Sequence, residues 1–509
     1  MLVEFRPDAR LRSGKPVDFA ASVGPVVEAL RADTSGPAAD LSQVRVVCDW
    51  VQYRENFRDI VDVRPILARP PAGSPPAGAG TAGAGTGGAG TGGAGTGSVE
   101  IAVDVRRGGE VDLEQLTAER LARAGDQRLL LEDWHPGTEG LIWGFNALYW
   151  SALALWEKST GRGYEQALPG GESDARNRAA SRELVGQLFA VWDRLADSGA
   201  LPEELYVLEL GVGNGGQAKV FLDEFRAADL AHGREYYRRL HYLMCDYSQH
   251  VLDLARETVA EHLEHVSSFA LDATRPTTSL GFLRYKIFLV YISNVYDNLP
   301  TDEVAQLGGR TYRVQTRAYL PAAVAGELAA SVRVAPDELP ALVRKLLRLG
   351  PVVLADALPE QFGDVEAAVQ FWRRTWAGLK LEERYVPLAG LDLYRLAPSV
   401  SGEMLRPLLE SGADLRMHVS NGAVASFTDS LRLLHPFGRL ICHDIFVTDA
   451  QGYRTSFRGP GKYDGSVVNW VNGSLLAHVG RRHGFDVHYA PFAHRGGGHI
   501  VTMTAQVRE

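Results

Sequence analysis

The strongest constraint on the fold is a series of short apolar segments that alternate with helical ones from Tyr206 onward. Five of these segments have the character of buried strands, the last one after a long interruption: Tyr206–Leu210, Tyr242–Cys245, Ser268–Leu271, Lys286–Ile292 and Gly438–Asp444. Apolar strands separated by helices indicate a doubly wound, mostly parallel α/β sheet with both faces covered. Val487–Tyr489 and Ile500–Ala505 predict a terminal hairpin, which would add an antiparallel C-terminal strand at the end of the sheet.

The interruption between the fourth and fifth strands covers about residues 301–430 and is too long for a loop. It contains helical segments such as Glu338–Leu349 and Asp364–Leu379, so the sequence predicts a helical insertion. Ligands bind outside the carboxyl ends of the strands in open α/β sheets, and we expect the insertion to cap that edge. The sheet domain then has two halves. These are residues 131–300, which include a helical lead-in, and residues 431–509.

Residues 1–130 are predicted to be an accessory α/β region. They contain a low-complexity tract at about 71–98 that holds 12 of the chain's 54 glycines and is expected to be disordered, because Gly, Ala, Thr and Pro cannot bury a core. Strand-like segments, Asp59–Val63 and Val99–Val105, flank the tract. The tract is therefore either an enlarged hairpin loop or a linker between domains, and closing a longer loop costs only about 0.6 kcal/mol per doubling of its length.

The composition excludes several classes of protein. With 45% hydrophobic and 23% charged residues the chain is globular, and its net charge of −9 argues against a nucleic-acid binder that neutralises phosphates. The three cysteines form no CxxC pair, and His494 and His499 lack a third ligand, so no disulfide framework and no metal site are expected. The start of the chain lacks the apolar core of a signal peptide, and no apolar run reaches about 18 residues. We expect a cytoplasmic protein without a membrane or nucleic-acid partner; the sequence predicts no oligomeric state.

A glycine-rich loop follows the first of the predicted strands and precedes a helix, Gln217–Arg226. Glycines let such a loop turn sharply and approach a ligand, and the helix amino terminus favours polar or anionic groups. Gly211-x-Gly213-x-x-Gly216 satisfies the fingerprint of a dinucleotide-binding loop. Glu209-x-Gly211-x-Gly213-x-Gly215 satisfies the first motif of S-adenosylmethionine (AdoMet) methyltransferases, so two interpretations compete.

Acidic residues at three strand ends favour the AdoMet interpretation. Glu209 could anchor the methionine end of AdoMet, and Asp246, after the second strand, is placed to accept hydrogen bonds from the ribose hydroxyls. After the third strand, Asp272 could accept from the adenine amino group while Ala273 offers a backbone donor. Asp246 suits NAD equally well, and both aspartates could instead be helix caps, so the ordered series is more specific than any one of its members.

With these residues the chain resembles the class I AdoMet-dependent methyltransferase superfamily over about Glu183–Asn298 and Leu433–Val507, which implies a Rossmann-like sheet and AdoMet as cofactor. More narrowly, it is similar to the MidA-like group, the mitochondrial complex I assembly methyltransferases and their bacterial relatives. The match consists of the glycine loop, a loose glycine–tyrosine element, an acid-x-Ser element and most of an Asn-acid-x-x-Asp-x-Leu-Pro signature: Glu209–Gly215, Gly163-Tyr164, Asp246-Tyr247-Ser248, and Asn294, Asp297, Leu299 and Pro300. Val295 replaces the acid of that signature, and Gly171–Asp174 departs from the group's Gly-Asp-Phe segment, so arginine methylation is not implied as firmly as AdoMet binding.

Candidate catalytic residues follow the fourth and fifth strands. The resemblance points to Asn294 and Asp297, and His443 is either a general base near neutral pH or a hydrogen-bonded structural histidine. The predicted activity is methyl transfer to a nitrogen or oxygen nucleophile, on a small molecule or on a protein side chain. The alternatives are an NAD(P)-dependent oxidoreductase and a catalytically inactive methyltransferase-fold protein that serves in assembly or binding.

Overall fold

The structure is a computed structural model that describes residues 1–4, 18–34, 36, 38–49, 57–69, 98–105, 107–122, 128–163, 174–410, 412–455, 459–494 and 499–508. The predicted disordered tract, Tyr164 and Gly171–Ser173 lie outside the described residues, apart from Ser98. The described part of the chain divides into two compact units. The first unit contains Met1–Asn146, Pro300–Val419 and Asp449–Trp470, and the second unit contains Ala147–Leu299, Ser420–Thr448 and Val471–Glu509.

The described strands, in chain order, are β1 (Leu2–Glu4), β2 (Val44–Asp49), β3 (Val61–Ile66), β4 (Ser98–Asp104), β5 (Arg128–Leu130), β6 (His135–Pro136), β7 (Leu205–Leu210), β8 (Leu240–Asp246), β9 (Val266–Ala270), β10 (Ile287–Ser293), β11 (Glu303–Leu307), β12 (Arg310–Pro321), β13 (Lys380–Pro387), β14 (Arg395–Ala397), β15 (Val400–Ser401), β16 (Leu415–His418), β17 (Leu434–Asp444), β18 (Phe446–Val447), β19 (Gly461–Tyr463), β20 (Ser466–Val468), β21 (Val471–Asn472), β22 (Phe485–Pro491) and β23 (Val501–Val507).

The described helices are α1 (Phe19–Ala32), α2 (Leu113–Leu121), α3 (Leu141–Ser151), α4 (Leu153–Thr160), α5 (Asp174–Asp197), α6 (Gly216–Ala231), α7 (Tyr236–Arg239), α8 (Gln249–Thr258), α9 (Thr277–Leu280), α10 (Ala322–Ser331), α11 (Leu339–Ala357), α12 (Val365–Gly378), α13 (Arg406–Leu409), α14 (Asn421–Leu431), α15 (Gly452–Thr455) and α16 (Gly473–Arg482). Side-chain caps start several of them; for example, Asp364 accepts from the Ala367 amide at the start of α12. Among the described residues, no helix is both long and apolar enough to cross a bilayer.

The second unit is built on a seven-stranded sheet in the order β22-β23-β17-β10-β7-β8-β9. Strands β17, β10, β7, β8 and β9 are parallel to one another, which confirms a mixed α/β fold with a mostly parallel sheet. Strand β10 lies in the middle and is buried from Ile287 to Ile292. The order runs outward in one direction from β7 through β8 to β9 and in the other from β10 to β17, so the strand order reverses between β7 and β10.

The terminal hairpin is present and its C-terminal strand, β23, is antiparallel to β17 as predicted, but β23 is not the outermost strand of the sheet. Strand β23 is antiparallel to both β17 and β22, so it lies between them, and β22 occupies the edge of the sheet. The hairpin connection fixes only that β22 and β23 are neighbours. It leaves open which of the two strands pairs with β17. Strand β23, in which Met503 and Ala505 are fully buried, is the more buried strand and lies next to β17.

The first unit contains a ten-stranded sheet in which the main path is β1-β2-β4-β3-β13-β12-β11-β16, with β5 and β6 also paired to β12. Strands β3 and β4, which flank the low-complexity tract, are antiparallel partners from Val61–Val103 to Ile66–Ser98. This pairing confirms the hairpin alternative over the linker. The apolar core beneath these strands includes Val46, Ile101 and Val103 and side chains of α1 and α2.

The predicted helical character of residues 301–430 needs correction. Helices α10, α11 and α12 are present, but the segment also contributes β11, β12, β13 and β16 to the ten-stranded sheet. Along β12, polar residues such as Arg313, Gln315 and Arg317 alternate with the buried Val314 and with Thr316, which is the period of a half-exposed strand. The sheet joins this segment to the N-terminal region through the β3–β13 pair, a relation that the sequence did not predict.

Candidate functional site

The glycine loop connects β7 to α6 in a conformation that only glycine adopts without strain. Gly211, Gly213 and Gly215 have φ angles of 75°, 58° and 81°. At Gly215 there is also no space for a side chain, because a Cβ would lie 2.8 Å from the Ala255 Cα. At Gly211 a Cβ would overlap the side chain of Val295, which follows β10. The glycine loop after β7 and the segment after β10 are therefore close to each other. Strands β7 and β10 are the neighbours between which the strand order reverses.

Two amides of this loop are bound by side chains of the chain itself. The Gly213 amide donates to Asp246 Oδ2 at 3.4 Å, and the Gly216 amide, at the start of α6, donates to Asn214 Oδ1 at 2.8 Å. The structure thus brings the loop and Asp246 together, as the sequence predicted for adjacent strand ends.

Asp246 ends β8 and accepts a second backbone hydrogen bond, from the Ser248 amide to Oδ1 at 3.0 Å. Burial raises its pKa to about 6, although the backbone donors Ser248, Gly213 and Tyr247 act in the opposite direction. Its main-chain oxygen accepts from the Leu271 amide at 3.0 Å, which ties the end of β8 to the residue before Asp272.

Glu209 lies near the end of β7 and is only 2% exposed. Its Oε2 accepts a hydrogen bond from the Tyr242 hydroxyl at 2.6 Å, and among the described residues this is its only polar side-chain partner. Burial raises the pKa of Glu209 to about 8, and the charge of Asp246 adds to the rise, while the Tyr242 hydroxyl lowers it. The site therefore contains two neighbouring carboxyls, Glu209 and Asp246, that form no ion pair with any residue in the described part of the chain.

Asp272 and Ala273 follow β9 at the same edge of the sheet. Asp272 Oδ1 accepts from the amide and the hydroxyl of Thr274 at 2.8 and 2.7 Å, which is the geometry of a side-chain-capped turn. The carboxylate is 42% exposed, and its Oδ2 lies 3.5 Å from Arg275. Its second oxygen is thus accessible to a ligand while the first holds the turn.

A second carboxyl pair lies after β10 and β17. Asp297 is 3% exposed and accepts from Asn298 Nδ2 at 2.8 Å. Asp444 Oδ2 accepts from the amides of Tyr296 and Asp297 at 2.8 and 3.3 Å. Burial raises the pKa of Asp444 to about 6, and burial together with the charge of Asp444 raises the pKa of Asp297 well above its ordinary value.

Asn294 lies beside this pair, is exposed, and has a left-handed backbone with φ of 56°. Its amide donates to the His443 carbonyl at 2.9 Å, which connects the ends of β10 and β17. Among non-glycine residues such a conformation is uncommon.

His443 is packed as a structural histidine. It is 8% exposed, its Nδ1 lies 2.9 Å from Thr502 Oγ1 on β23, and its ring centre is 4.5 Å from that of Phe492. Burial lowers the pKa of His443 to about 4, with a smaller contribution from His494. A group with this pKa is a weak base at neutral pH.

The sequence reasoning missed Tyr242 as the partner of Glu209. Tyr242 is aligned with Val207, so it is a diagonal neighbour of Glu209 across the β7–β8 pair. The sequence indicates two parallel strands but does not give their register. The contact between Tyr242 and Glu209 depends on that register. It also missed Val295 as a contact of the glycine loop, although it identified Val295 as a departure from the related signature.

No protein-family model matches the chain, and no curated protein does. Among solved structures, the chain is similar to a COG1565 superfamily member and candidate methyltransferase from Burkholderia thailandensis bound to S-adenosylhomocysteine, with 14% identity over 76% of this chain and 89% of that chain and a TM-score of 0.43. It is similar to the CcbJ methyltransferase from Streptomyces caelestis, with 12% identity over 72% of this chain and 99% of that chain and a TM-score of 0.31.

A third similar structure is the 1,6-didemethyltoxoflavin-N1-methyltransferase from Burkholderia thailandensis with bound 1,6-didemethyltoxoflavin and S-adenosylhomocysteine. Its identity is 11%, the coverage is 66% of this chain and 80% of that chain, and the TM-score is 0.26. All three identities are below 25% and all three TM-scores are below 0.5.

Proposed function

We propose that the protein is an AdoMet-dependent methyltransferase. The observation that carries this proposal is the pair of uncompensated carboxyls, Glu209 and Asp246, beside a glycine loop at the point where the strand order reverses. Ligands of open α/β sheets bind in the crevice at this point. AdoMet fits these residues because it carries an ammonium and a sulfonium charge as well as two ribose hydroxyls.

The same electrostatics argue against a dinucleotide. A pyrophosphate needs free backbone amides and a helix amino terminus without competing charge. Here the Gly213 amide is bound by a carboxylate and the Gly216 amide by Asn214. An anionic pyrophosphate beside Asp246 and Glu209 would meet two acidic groups, whereas a cationic ligand would favour their ionised forms.

We assign the binding roles as follows. Asp246 accepts hydrogen bonds from both ribose hydroxyls, and Glu209 binds the methionine ammonium group directly or through water. Asp272 accepts from the adenine amino group through its accessible Oδ2, and the Ala273 amide donates to the adenine ring. Gly211, Gly213 and Gly215 allow the backbone to approach the ligand, a role that their positive φ angles and close contacts support.

When bound, AdoMet supplies a methyl group on a positively charged sulfur, which a nucleophile displaces in line. The chain must then position the nucleophile and, where it arrives protonated, remove its proton. We propose that exposed Asn294 contacts the acceptor and that Asp297 takes the proton. Burial and the charge of Asp444 raise the pKa of Asp297, and a carboxylate with a raised pKa is a stronger base than an ordinary one once it is ionised. His443 then positions the end of β10 through its carbonyl rather than acting as a base.

The acceptor that we propose is a nitrogen or oxygen nucleophile on a small molecule or on a protein side chain. Incubation of the protein with methyl-labelled AdoMet and either a metabolite extract or a protein extract tests the activity and separates the two acceptor classes. Labelled product that disappears in Asp297→Asn, with AdoMet binding intact, supports the assigned role. AdoMet binding without transfer to either extract would instead identify a catalytically inactive binding protein.

A further inference from the structure

A cluster of basic and aromatic side chains lies on one face of β12 and β13 in the first unit, and the proposed methyltransferase site does not use it. On this face, Gln315 is aligned with Arg384 and Arg317 with Glu382. Trp134, which precedes β6, reaches the same face. We refer to Trp134, Arg317 and Arg384 as the Arg–Trp cluster.

Both guanidinium groups of the cluster contact one indole ring. The Arg317 and Arg384 guanidinium carbons lie 4.4 and 4.5 Å from the centre of the Trp134 ring. Each distance is within the range of a favourable cation–π contact. The two positive charges are therefore held close together by a single aromatic side chain.

The surrounding acidic charge does not balance this cluster. Glu382 is shared, because its Oε1 lies 2.7 Å from Arg128 Nη1 and its Oε2 lies 3.0 Å from Arg317 Nη2. Among the described residues, the side-chain hydrogen-bond acceptor of Arg384 is the neutral Gln315, whose Oε1 accepts from Nε at 2.9 Å and from Nη2 at 2.7 Å. No described carboxylate forms an ion pair with Arg384, so three arginines face one glutamate.

The arginines of the cluster are only partly hydrated. The Arg317 side chain is 21% exposed, and Arg384 and Trp134 are also partly buried. Burial, followed by the charge of Arg317, lowers the pKa of Arg384 to about 10. The positive charges of Arg317 and Arg384 repel each other in this partly desolvated environment. A bound anion would reduce the repulsion.

We propose that the Arg–Trp cluster is a binding site for an oxyanion, the phosphate or carboxylate group of a small acidic ligand. No described residue accepts a hydrogen bond from the Nη1 atoms of Arg317 and Arg384, so each retains N–H donors for a ligand. A guanidinium group binds two oxygens of one carboxylate or phosphate in a planar fork, which lysine does not do.

Isothermal titration of the full-length protein with inorganic phosphate, and separately with succinate, tests the proposal. The variants are Arg384→Gln and Arg384→Lys, and the matched control is Arg310→Gln, which changes an exposed arginine at the start of the same strand. We expect the wild-type protein to bind at least one of the two anions, and Arg384→Gln to weaken that binding about tenfold or more, while Arg310→Gln stays within about twofold. Arg384→Lys keeps the charge and loses the fork, so an intermediate affinity is expected.

Preference for phosphate identifies a phosphate ester as the ligand class, and preference for succinate identifies a carboxylate; either result supports the site. Absence of binding of both anions to the wild-type protein overturns the proposal. Unchanged affinity in the two Arg384 variants, with circular dichroism showing that they are folded, also overturns it. Should Arg384→Gln fail to fold, Arg384→Lys carries the comparison alone, because affinity equal to the wild type would exclude a role for the guanidinium.

Discussion

In the first unit, the buried carboxylate of Glu383 lies among arginines. Arg64 Nε and Arg416 Nη1 are 3.1 and 2.8 Å from its oxygens, and Arg58 contacts it as well. Burial alone would raise the pKa of Glu383, but the charges of Arg416, Arg58 and Arg64 hold it well below the ordinary value. In the second unit, the equally buried Glu209 has a tyrosine hydroxyl as its partner and a pKa raised to about 8.

This difference separates a structural use of buried charge from a functional one. In a buried ion cluster, each charge is paired with charges of opposite sign. Removal of one partner leaves the remaining charges unpaired in an apolar interior. Buried carboxyls without cations are unfavourable for folding alone, and under the proposed function a cationic ligand at this edge of the sheet would balance the charges of Glu209 and Asp246. Variants on the two sides of this comparison should therefore change different properties.

The largest expected effect is on the stability of the first unit. Glu383→Ala leaves Arg58, Arg64 and Arg416 without their shared carboxylate and should lower the free energy of unfolding by about 3–5 kcal/mol, measured by denaturant titration. Glu403→Ala is the control, because Glu403 forms a solvent-screened pair with Arg406 at 2.6 Å and its removal should leave the stability nearly unchanged. Equal effects of the two variants would remove the distinction between the buried cluster and a surface pair.

Gly213→Val should weaken AdoMet binding on the order of 100-fold, because a branched side chain enters the space where the backbone approaches the ligand. Gly233→Val is matched for backbone strain, since Gly233 has φ of 61° compared with 58° for Gly213 and has open space beside its Cα. Both variants should lose about 1–2 kcal/mol of stability, and only Gly213→Val should lose affinity in a calorimetric titration.

Asp246→Asn should weaken AdoMet binding by about 1.5–3 kcal/mol, because a charge-assisted contact to the ribose is lost. Asp253→Asn, an exposed residue on α8, provides the control and should leave the dissociation constant unchanged. A folded Asp246→Asn protein with wild-type affinity would contradict the assignment of this residue.

The two kinds of carboxyl should also differ in the pH dependence of stability. Glu209 ionises near pH 4.3 in the unfolded chain and at about 8 in the folded one. Between these values the folded state binds more protons, so the contribution of Glu209 is fully present below about pH 4 and is lost as the pH rises toward 8. Glu209→Gln should therefore be more stable than the wild type at pH 8, by about 1–2 kcal/mol, and the difference should shrink at pH 5.

Glu257→Gln, at an exposed position of α8, is the control for this pH series and should show no such dependence. The opposite dependence is expected for Glu383, whose lowered pKa contributes stability that is lost in acid. A Glu209→Gln difference that grows toward pH 5 would show that Glu209 is ionised in the folded protein at neutral pH.

The smallest expected effect is that of Tyr242→Phe. Loss of the hydroxyl that donates to Glu209 at 2.6 Å should weaken AdoMet binding by about 1 kcal/mol, or about fivefold, and raise the pKa of Glu209 further. Tyr237→Phe removes a similar hydroxyl bond, to His262 Nδ1 at 2.6 Å, and should change stability without changing affinity. Equal losses of affinity in both variants would indicate a general disturbance of the sheet.

The sequence predicted those features that depend on local pattern. Strands β7, β8 and β10 lie within a few residues of their predicted bounds, because central parallel strands are continuous apolar runs. The placement of Glu209, Gly213 and Asp246 at one edge follows from the same pattern, since carboxyl ends of parallel strands share an edge.

Features that depend on long-range pairing were not predictable in the same way. The position of β23 between β17 and β22, and the pairing of β3 with β13, join segments whose partners no local signal specifies. The contact of Tyr242 with Glu209 depends on strand register. The strand β12 is a different case, because its alternation from Tyr312 to Arg317 was present in the sequence and was outweighed by the stronger helical periodicity of the segments after it.

The central claim is that the uncompensated carboxyls beside the glycine loop bind a cationic cofactor. Parallel calorimetric titrations of the protein with AdoMet and with NADH, each repeated with Asp246→Asn, test it most directly. We expect saturable binding of AdoMet that Asp246→Asn weakens, and no binding of NADH at the same concentrations. Saturable binding of NADH without binding of AdoMet would contradict it.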